Sequence, residues 1–442
     1  MSGRGSLASY ITLALAAWAR SREQWFEPER LRRLRGKRLL RLATVAARAQ
    51  FYQEAFERAG LRPGDLTDDE ALERLPLLER AELVGRPRGD FLTVADSAGL
   101  FPISTSGSSG TPVEVWRGQR DQADASALWV RTQRAYGRQA WHRQVNIGAG
   151  RPAAQKGPTA ALQRLGIIPA FVNVSSFAAP EEMIAILQRV RPQVITGYAA
   201  ALEHLAAAML DDGKDIPRPL VVISGAMELA EPARELIGQA FRAPVRDAYV
   251  ALETGPIGFE CPVAPGTLHL NDDVQIVEIV DDEGRPLPDG EVGDVVVTPL
   301  FLTTMPLLRY RLGDLAARLP AGERCPCGRG LARLSRVQGR STQVIRAPDG
   351  RRVLNAALAG TLIKQHRGVR RFQVRQVAPD RLEIAVMPGP GWTAESAPAL
   401  ASDISAKLDG TLAVHVVTCE DIPLAPSGKF QAIVPVAERG GP

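Results

Sequence analysis

The chain has 442 residues, 45% of them hydrophobic and 23% charged. That balance excludes a disordered or fibrous chain, and the length exceeds what one ordinary core fills, so at least two domains are expected. The 54 basic and 49 acidic residues leave a formal charge of +5, which suits an anionic small ligand as well as a nucleic-acid surface and does not choose between them.

At the N-terminus, Leu7 to Ala19 is apolar and follows Arg4. No small-residue cleavage site follows, and the helical pattern runs on through Trp25, so it reads as a helix and not as a secretory leader. Nothing reaches the roughly 18 consecutive apolar residues of a membrane span. Between Glu29 and Arg41 seven basic residues alternate with Leu31, Leu34, Leu39 and Leu40, the pattern of an amphipathic surface helix with a solvated basic face. Leu39 to Ala59 is the clearest helical stretch.

From about residue 100 to 300, strand-like runs (Gln144 to Gly148, Val194 to Gly197, Leu220 to Ser224) alternate with helical patterns (Pro180 to Val190, Ala199 to Leu210). This predicts an α/β architecture with a buried sheet. After Glu260 the pattern turns to β, with Val274 to Val280, a turn at Asp281 to Gly284, and Gly293 to Thr298. A boundary falls near Gly339. Beyond it a small α+β unit is expected, with strands at Phe372 to Val377, Leu382 to Val386 and around Val414 to Val417, and a helix from about Ala394 to Leu408. The expected fold is α/β, a large N-terminal domain of mixed sheets and helices over 1–338 followed by a small α+β domain over 339–442.

The strongest local signal is Ser104-Thr105-Ser106-Gly107-Ser108-Ser109-Gly110-Thr111-Pro112. Small residues let the backbone fold into a concave nest whose amides and hydroxyls hold phosphate oxygens. The Gly-Lys-Ser/Thr ending of a Walker loop is missing, which disfavours the common P-loop fold. Read alone, such a tract is equally a flexible loop.

The cysteines make a second constellation. Cys261 and His269, with Cys325 and Cys327 around Pro326, offer three thiolates and one imidazole, a tetrahedral set for structural Zn²⁺ with no ligand position left for water. Cys-x-Cys is less specific than Cys-x-x-Cys, and the alternative is buried free thiols beside a surface histidine. Cys419 stands apart. Four cysteines without disulfide-like density suggest a reducing, cytoplasmic setting.

The Ser/Gly/Thr tract has company: Ser224-Gly-Ala-Met-Glu228, Asp247-Ala-Tyr-Val-Ala-Leu-Glu-Thr254, Arg309-Tyr-Arg-Leu-Gly-Asp314, Gly339-Arg-Ser-Thr-Gln-Val-Ile345 and Pro426-Ser-Gly-Lys429. In this order they resemble the adenylate-forming superfamily of acyl-CoA synthetases, luciferases and peptide-synthetase adenylation domains. Phe51-Tyr-Gln-Glu-Ala-Phe56, Met305-Pro-Leu-Leu-Arg-Tyr-Arg311 and Cys325-Pro-Cys-Gly-Arg329 look most like the phenylacetate-CoA ligase branch and its capsule-biosynthesis relatives. The resemblance spans nearly the whole chain.

It implies that a small carboxylic acid, aryl or short acyl, reacts with ATP to give an acyl-adenylate and pyrophosphate. A mobile C-terminal domain then turns about a hinge to admit CoA. Residues Ser104 to Thr111 would grip the β- and γ-phosphates, Tyr249 would pack on adenine, and Glu253 would help hold Mg²⁺, which spreads phosphate charge. Gly225, Ala226 and Met227 would line the adenine and acyl pocket, with Phe171, Gly197, Tyr198 and Phe259 as further acyl candidates. Asp314 would accept both ribose hydroxyls. Lys429 would carry catalysis by neutralising the acyl carboxylate and α-phosphate, and Arg340 would contact ribose or phosphate after closure. Small molecules and not nucleic acid are the implied partners, and a dimer is left open.

Three departures matter. Val250 and Leu252 replace the family's usual glycine and hydroxyl, Thr342 and Gln343 replace a pair of acidic residues, and the loop bordering the pantetheine tunnel reads Arg346-Ala-Pro-Asp-Gly-Arg-Arg-Val353. The last puts CoA in question and supports an amine, a carrier-protein thiol or a hydroxyl as the acceptor. A dead ATP-binding scaffold is disfavoured because Lys429 and Asp314 are both present.

Overall fold

The computed structural model describes residues 7–104, 113–148, 170–226, 229–320, 324–339, 345–349, 352–353, 366, 368–422 and 433–434. The chain divides into two compact units, one of residues 1–105, 113–312 and 317–336, the other of 106–112, 313–316 and 337–442.

The first unit opens with helices α1 (Leu7–Glu23), α2 (Pro28–Ala46), α3 (Gln50–Ala59), α4 (Asp69–Glu73) and α5 (Arg80–Gly85). The single helical stretch expected over Leu39 to Ala59 is broken, because Ala49 is extended (φ −89°, ψ 135°). The buried set Leu39, Leu42, Ala43, Ala46 gives way to Phe51, Tyr52, Ala55, Phe56. That shift is out of phase with one continuous 3.6-residue period, so the chain must turn to put both sets into the same core. Pro28 suits the first turn of α2, where its missing N–H has no helical partner. The basic face of α2 is not wholly solvated: Arg35 pairs with Asp69 and Asp272, and Arg38 with Glu23.

Strands β1 (Phe101–Ser104) and β2 (Glu114–Arg117) form a hairpin ladder and lead into α6 (Gln119–Ala135). Next come β3 (Gln144–Gly148), β4 (Phe171–Ser175), α7 (Pro180–Val190), β5 (Val194–Tyr198), α8 (Ala199–Asp211), β6 (Val221–Gly225), α9 (Glu231–Phe241), β7 (Val245–Ala251), β8 (Gly255–Glu260) and β9 (Thr267–Leu270). With β13 (Arg333–Ser335) they make an eight-stranded sheet in the order β13-β9-β8-β7-β6-β5-β3-β4. The strands from β4 to β7 run parallel, as strand–helix–strand connections demand, and β8 and β9 are antiparallel additions. One face, carrying Val145, Ile147, Ile195 and Val222, packs on α7 to α9 in a single apolar cluster. The other face, with Val194, Val221, Ile223 and Ala248, meets Trp129 and Tyr136 at the end of α6.

A three-stranded sheet follows in the order β10 (Gln275–Val280), β11 (Val292–Pro299), β12 (Tyr310–Ala317). A second apolar core joins α2 and α3 to Val115, Ile276, Leu302, Met305 and Tyr310. Between α6 and the sheet, the fully buried Arg131 donates twice to Asp273 at 2.9 Å and once to Asn271. Such a buried charge is tolerable because it is bidentately paired.

In the second unit, β14 (Ile345–Arg346) pairs with β15 (Arg352–Val353). Strands β16 (Val369–Ala378), β17 (Arg381–Pro388), β18 (Ala413–Thr418) and β19 (Ile433–Val434) form a sheet in the order β18-β17-β16-β19. Helix α10 (Ser396–Lys407) seats Leu400 and Ile404 on Val374, Leu382 and Ile384. No described helix is long and apolar enough to cross a membrane.

Candidate active site

A cavity of about 550 Å³ lies between α6 and the eight-stranded sheet and reaches the carboxyl ends of β3, β5 and β6. Its volume is in the range that takes a small ligand, and open parallel sheets bind their ligands beyond the carboxyl ends of the strands. Gly148, Tyr198, Gly225 and Ala226 line it from the strand ends, and Val250, Ala251 and Leu252 from the end of β7. Ala226 takes a left-handed backbone (φ 61°) that is costly for a residue with a side chain, the kind of strain that gathers at functional positions.

The deeper wall is polar. Because side chains alternate across a strand, Gln144 and Asn146 of β3 and Thr196 of β5 share the α6-facing side and line the cavity with Gln133 and Arg138. Thr196 Oγ1 donates to Asn146 Oδ1 at 2.8 Å, and Asn146 Nδ2 to Asn173 Oδ1 at 3.1 Å.

The turn from β7 to β8 is held by Arg117 at the end of β2. Its Nη2 donates to the carbonyl of Leu252 at 2.7 Å and reaches that of Glu253 at 3.4 Å. Burial pulls the Arg117 pKa down to about 10, against the opposing charges of Asp121 and Glu253. The Glu253 carboxylate lies 3.6 Å from Arg80 Nη1. A single carboxylate at a turn fits Mg²⁺, which is held by one or two carboxylates plus substrate phosphates and water, once Arg80 turns to the phosphates. Tyr249 is buried on β7 opposite Gly258, and the neighbouring Val250, not Tyr249, lines the cavity. Asp314 is half-buried on β12, in the second compact unit.

The run leading to Asp314 is pinned by charge. Arg309, with φ 52°, donates to both oxygens of Glu278 and to the carbonyls of Glu73, Leu75 and Gly284. Arg311 pairs with Glu79 at 3.0 Å and Asp294 at 2.8 Å.

The cysteine constellation is assembled. One ligand atom each of Cys261, His269, Cys325 and Cys327 lies within 4.8 Å of the others. Cys261 Sγ is 3.5 Å from Cys325 Sγ, and His269 Nε2 is 3.2 Å from Cys327 Sγ. His269 reaches the group through β9, which approaches β8 so closely that a Cβ at Gly258 would stand 2.8 Å from the His269 carbonyl. Only glycine fits there. The histidine is buried, not the surface residue of the alternative reading. Burial, with the charge of Arg329, lowers its pKa to about 4, so the imidazole is neutral at pH 7 as a metal ligand must be. The amides of Val263 and Ala264 both donate to Cys261 Sγ at 3.4 Å. Three sulfurs and one nitrogen in this space fit a tetrahedral Zn²⁺ site.

No protein-family model matches the chain. It is 30% identical over 326 residues to the phenylacetate-coenzyme A ligase of Thermus thermophilus, covering 72% of each chain. The chain belongs to the phenylacetate-CoA ligase family. Protein CapK of Staphylococcus aureus is 22% identical over 275 residues, 61% of this chain and 59% of CapK. Among solved structures, a 2-hydroxyisobutyryl-CoA ligase with a bound acyl-adenylate superposes with a TM-score of 0.76 at 20% identity, over 95% of this chain and 92% of that one. This likeness shows that the fold is that of adenylate-forming ligases.

Of the residues that the family's motifs single out, Ser104 stands exposed at the end of β1, opposite Glu114. Gly225 and Ala226 line the cavity, as do Phe171, Gly197 and Tyr198. Phe259 does not: it is fully buried against Leu31 and Leu331. Thr105, Ser106, Gly107, Ser108, Ser109, Gly110, Thr111, Met227, Arg340 and Lys429 lie outside the described residues. The family motifs do not include Arg117, Arg80, Gln133, Arg138, Asn146 or Thr196. One signal for the polar wall was available: β3 reads Gln-Val-Asn-Ile-Gly, polar at every second position where a buried parallel strand is ordinarily apolar throughout.

Proposed function

We propose that this ligase joins a small carboxylic acid to AMP, releasing pyrophosphate, and then passes the acyl group to CoA. The observation that carries this reading is a ligand-sized cavity at the strand ends beside the Glu253 turn, in a chain of this family. Gly225, Ala226 and Met227 border the adenine and acyl group, Tyr249 packs on the adenine ring, and Ser104 to Thr111 cradle the phosphates. Glu253 would hold Mg²⁺, whose charge eases the departure of pyrophosphate; Arg80, now paired with Glu253, is placed to offset phosphate charge in the same region. Asp314 accepts the ribose hydroxyls. Residues 339–442 act as a mobile lid that delivers Lys429 to the carboxylate and α-phosphate and Arg340 to ribose or phosphate.

Cys261, His269, Cys325 and Cys327 would hold one structural Zn²⁺ with no part in the chemistry, since four protein ligands leave no open position. Four cysteines in a long chain without disulfide-like density suit a cytoplasmic setting. A second reading keeps adenylation and changes the acceptor to an amine, a carrier-protein thiol or a hydroxyl. It rests on the departure from the family pattern after Arg346. Pyrophosphate release over a panel of carboxylic acids, with and without CoA, tests both readings: release without thioester formation would favour the second, and no release with any acid would defeat adenylation itself.

A further inference from the structure

Helix α6 ends in a motif that places two donors side by side. Gly137 takes φ 86°, the Gly137 amide bonds to the Arg134 carbonyl at 3.0 Å, and the Arg138 amide bonds back to the Gln133 carbonyl at 3.2 Å. This is a Schellman closure, in which the side chains at the Gln133 and Arg138 positions commonly meet in an apolar contact. Here both are polar, and both line the cavity. The backbone alone completes the cap, so neither side chain is needed for it.

Each leaves one buried side-chain nitrogen without a partner within the protein. Gln133 is 1% exposed, and its Nε2 is buried without a hydrogen-bond partner. Arg138 Nε is likewise buried and unpartnered, and no carboxylate pairs with its guanidinium among the described residues. Burial and the charge of Arg134 pull the Arg138 pKa down, and no acidic group offsets them. A buried donor left unpaired costs free energy comparable to a lost hydrogen bond, more when charged, so such groups call for an acceptor supplied from outside. The amides of Gln144 and Asn146 extend the same polar wall away from the strand ends, where the family's chemistry takes place.

We propose that the acid activated by this enzyme carries a second carboxylate, remote from the one that is adenylated, and that Gln133 and Arg138 bind it as specificity-determining residues. The inference rests on the adenylation reading above. A carboxylate supplies acceptors for both donors at once and neutralises the guanidinium. An apolar acid such as phenylacetate would leave both donors buried and empty, and a site built to hydrogen-bond its substrate rejects an analogue lacking the acceptor far more strongly than a methylene difference allows.

The test is ATP–pyrophosphate exchange by the full-length enzyme with matched pairs: glutarate against butyrate, and benzene-1,3-dicarboxylate against benzoate, with phenylacetate as the apolar reference. The diacid of at least one pair should be preferred by about 100-fold in kcat/KM. Gln133→Leu and Arg138→Leu should each cut that preference about tenfold, mainly through KM for the diacid. If a variant fails to fold, the wild-type panel still decides. Preference for phenylacetate, butyrate or benzoate would overturn the inference and leave adenylation standing. No exchange with any acid would remove the adenylation reading and this inference with it.

Discussion

Arg117→Met probes the link between the β2 strand and the Glu253 turn. The guanidinium is 5% exposed and its Nη2 makes one short bond, 2.7 Å to the Leu252 carbonyl, and one marginal contact, 3.4 Å to that of Glu253. A charge-assisted bond is worth about 1.5–3 kcal/mol. Removing it strands a carbonyl, while replacing a buried cation by an apolar chain returns part of its desolvation cost. The net loss should be about 1–2 kcal/mol, read as a fall of about 2–4 °C in Tm. The effect on chemistry should be larger. A turn free to shift by an ångström misplaces the Glu253 carboxylate, so exchange at saturating ATP should fall by about 10- to 100-fold. Arg117→Lys should recover little, because a point charge on a flexible stem does not reproduce the planar fork. Thermal unfolding and ATP–pyrophosphate exchange on the same samples make the test, and a Met variant with wild-type Tm and exchange would refute the assignment of Arg117 as a positioning residue.

Lys429→Ala should abolish pyrophosphate exchange while nucleotide binding and folding stay near wild type; exchange at the wild-type rate would remove its catalytic role. Asp314→Ala should weaken ATP binding by about 1.5–3 kcal/mol, roughly 10- to 100-fold, read by calorimetry. Stripping zinc, or Cys327→Ser, should lower Tm without changing which acid is accepted, and purified active protein with less than about a tenth of an equivalent of zinc would dissolve the site. Asp247 has its pKa raised from 3.8 to about 7, by burial first and then by Glu260. The folded state therefore holds a proton that the unfolded chain releases near pH 4, so the stability tied to this group is full below about pH 4 and is lost as pH rises towards 7. Asp247→Asn should remove that slope from denaturant midpoints measured between pH 4 and 7, and identical slopes would contradict it.

Local pattern carried much of the fold. The helix over Pro180 to Val190 lies where its apolar period, N-terminal proline and acidic first turn put it. The parallel strands were legible because each is a short β-branched run between helical patterns. The break after α2 was not, since Ala47 to Ala49 carries neither glycine nor proline and the turn is imposed by packing Phe51 and Tyr52. Arg35 and Arg38 looked solvated because their partners, Asp272 and the Asp273 carbonyl, lie more than two hundred residues away in the chain. The Cys261, His269, Cys325, Cys327 set was legible because ligand chemistry is written in residue type. Tyr249 is buried on β7 opposite Gly258, next to a register shift in the β7–β8 ladder, so the motif names the residue without fixing what it packs against.

Acid-dependent release of pyrophosphate is the defining event of adenylation. Incubating the full-length enzyme with ATP, Mg²⁺ and the acid panel, and analysing the nucleotide products by mass, tests it most directly. Pyrophosphate is expected together with an acyl-AMP that accumulates without CoA and is consumed when an acceptor is added. Formation of ADP and phosphate, or no nucleotide turnover with any acid, would contradict it.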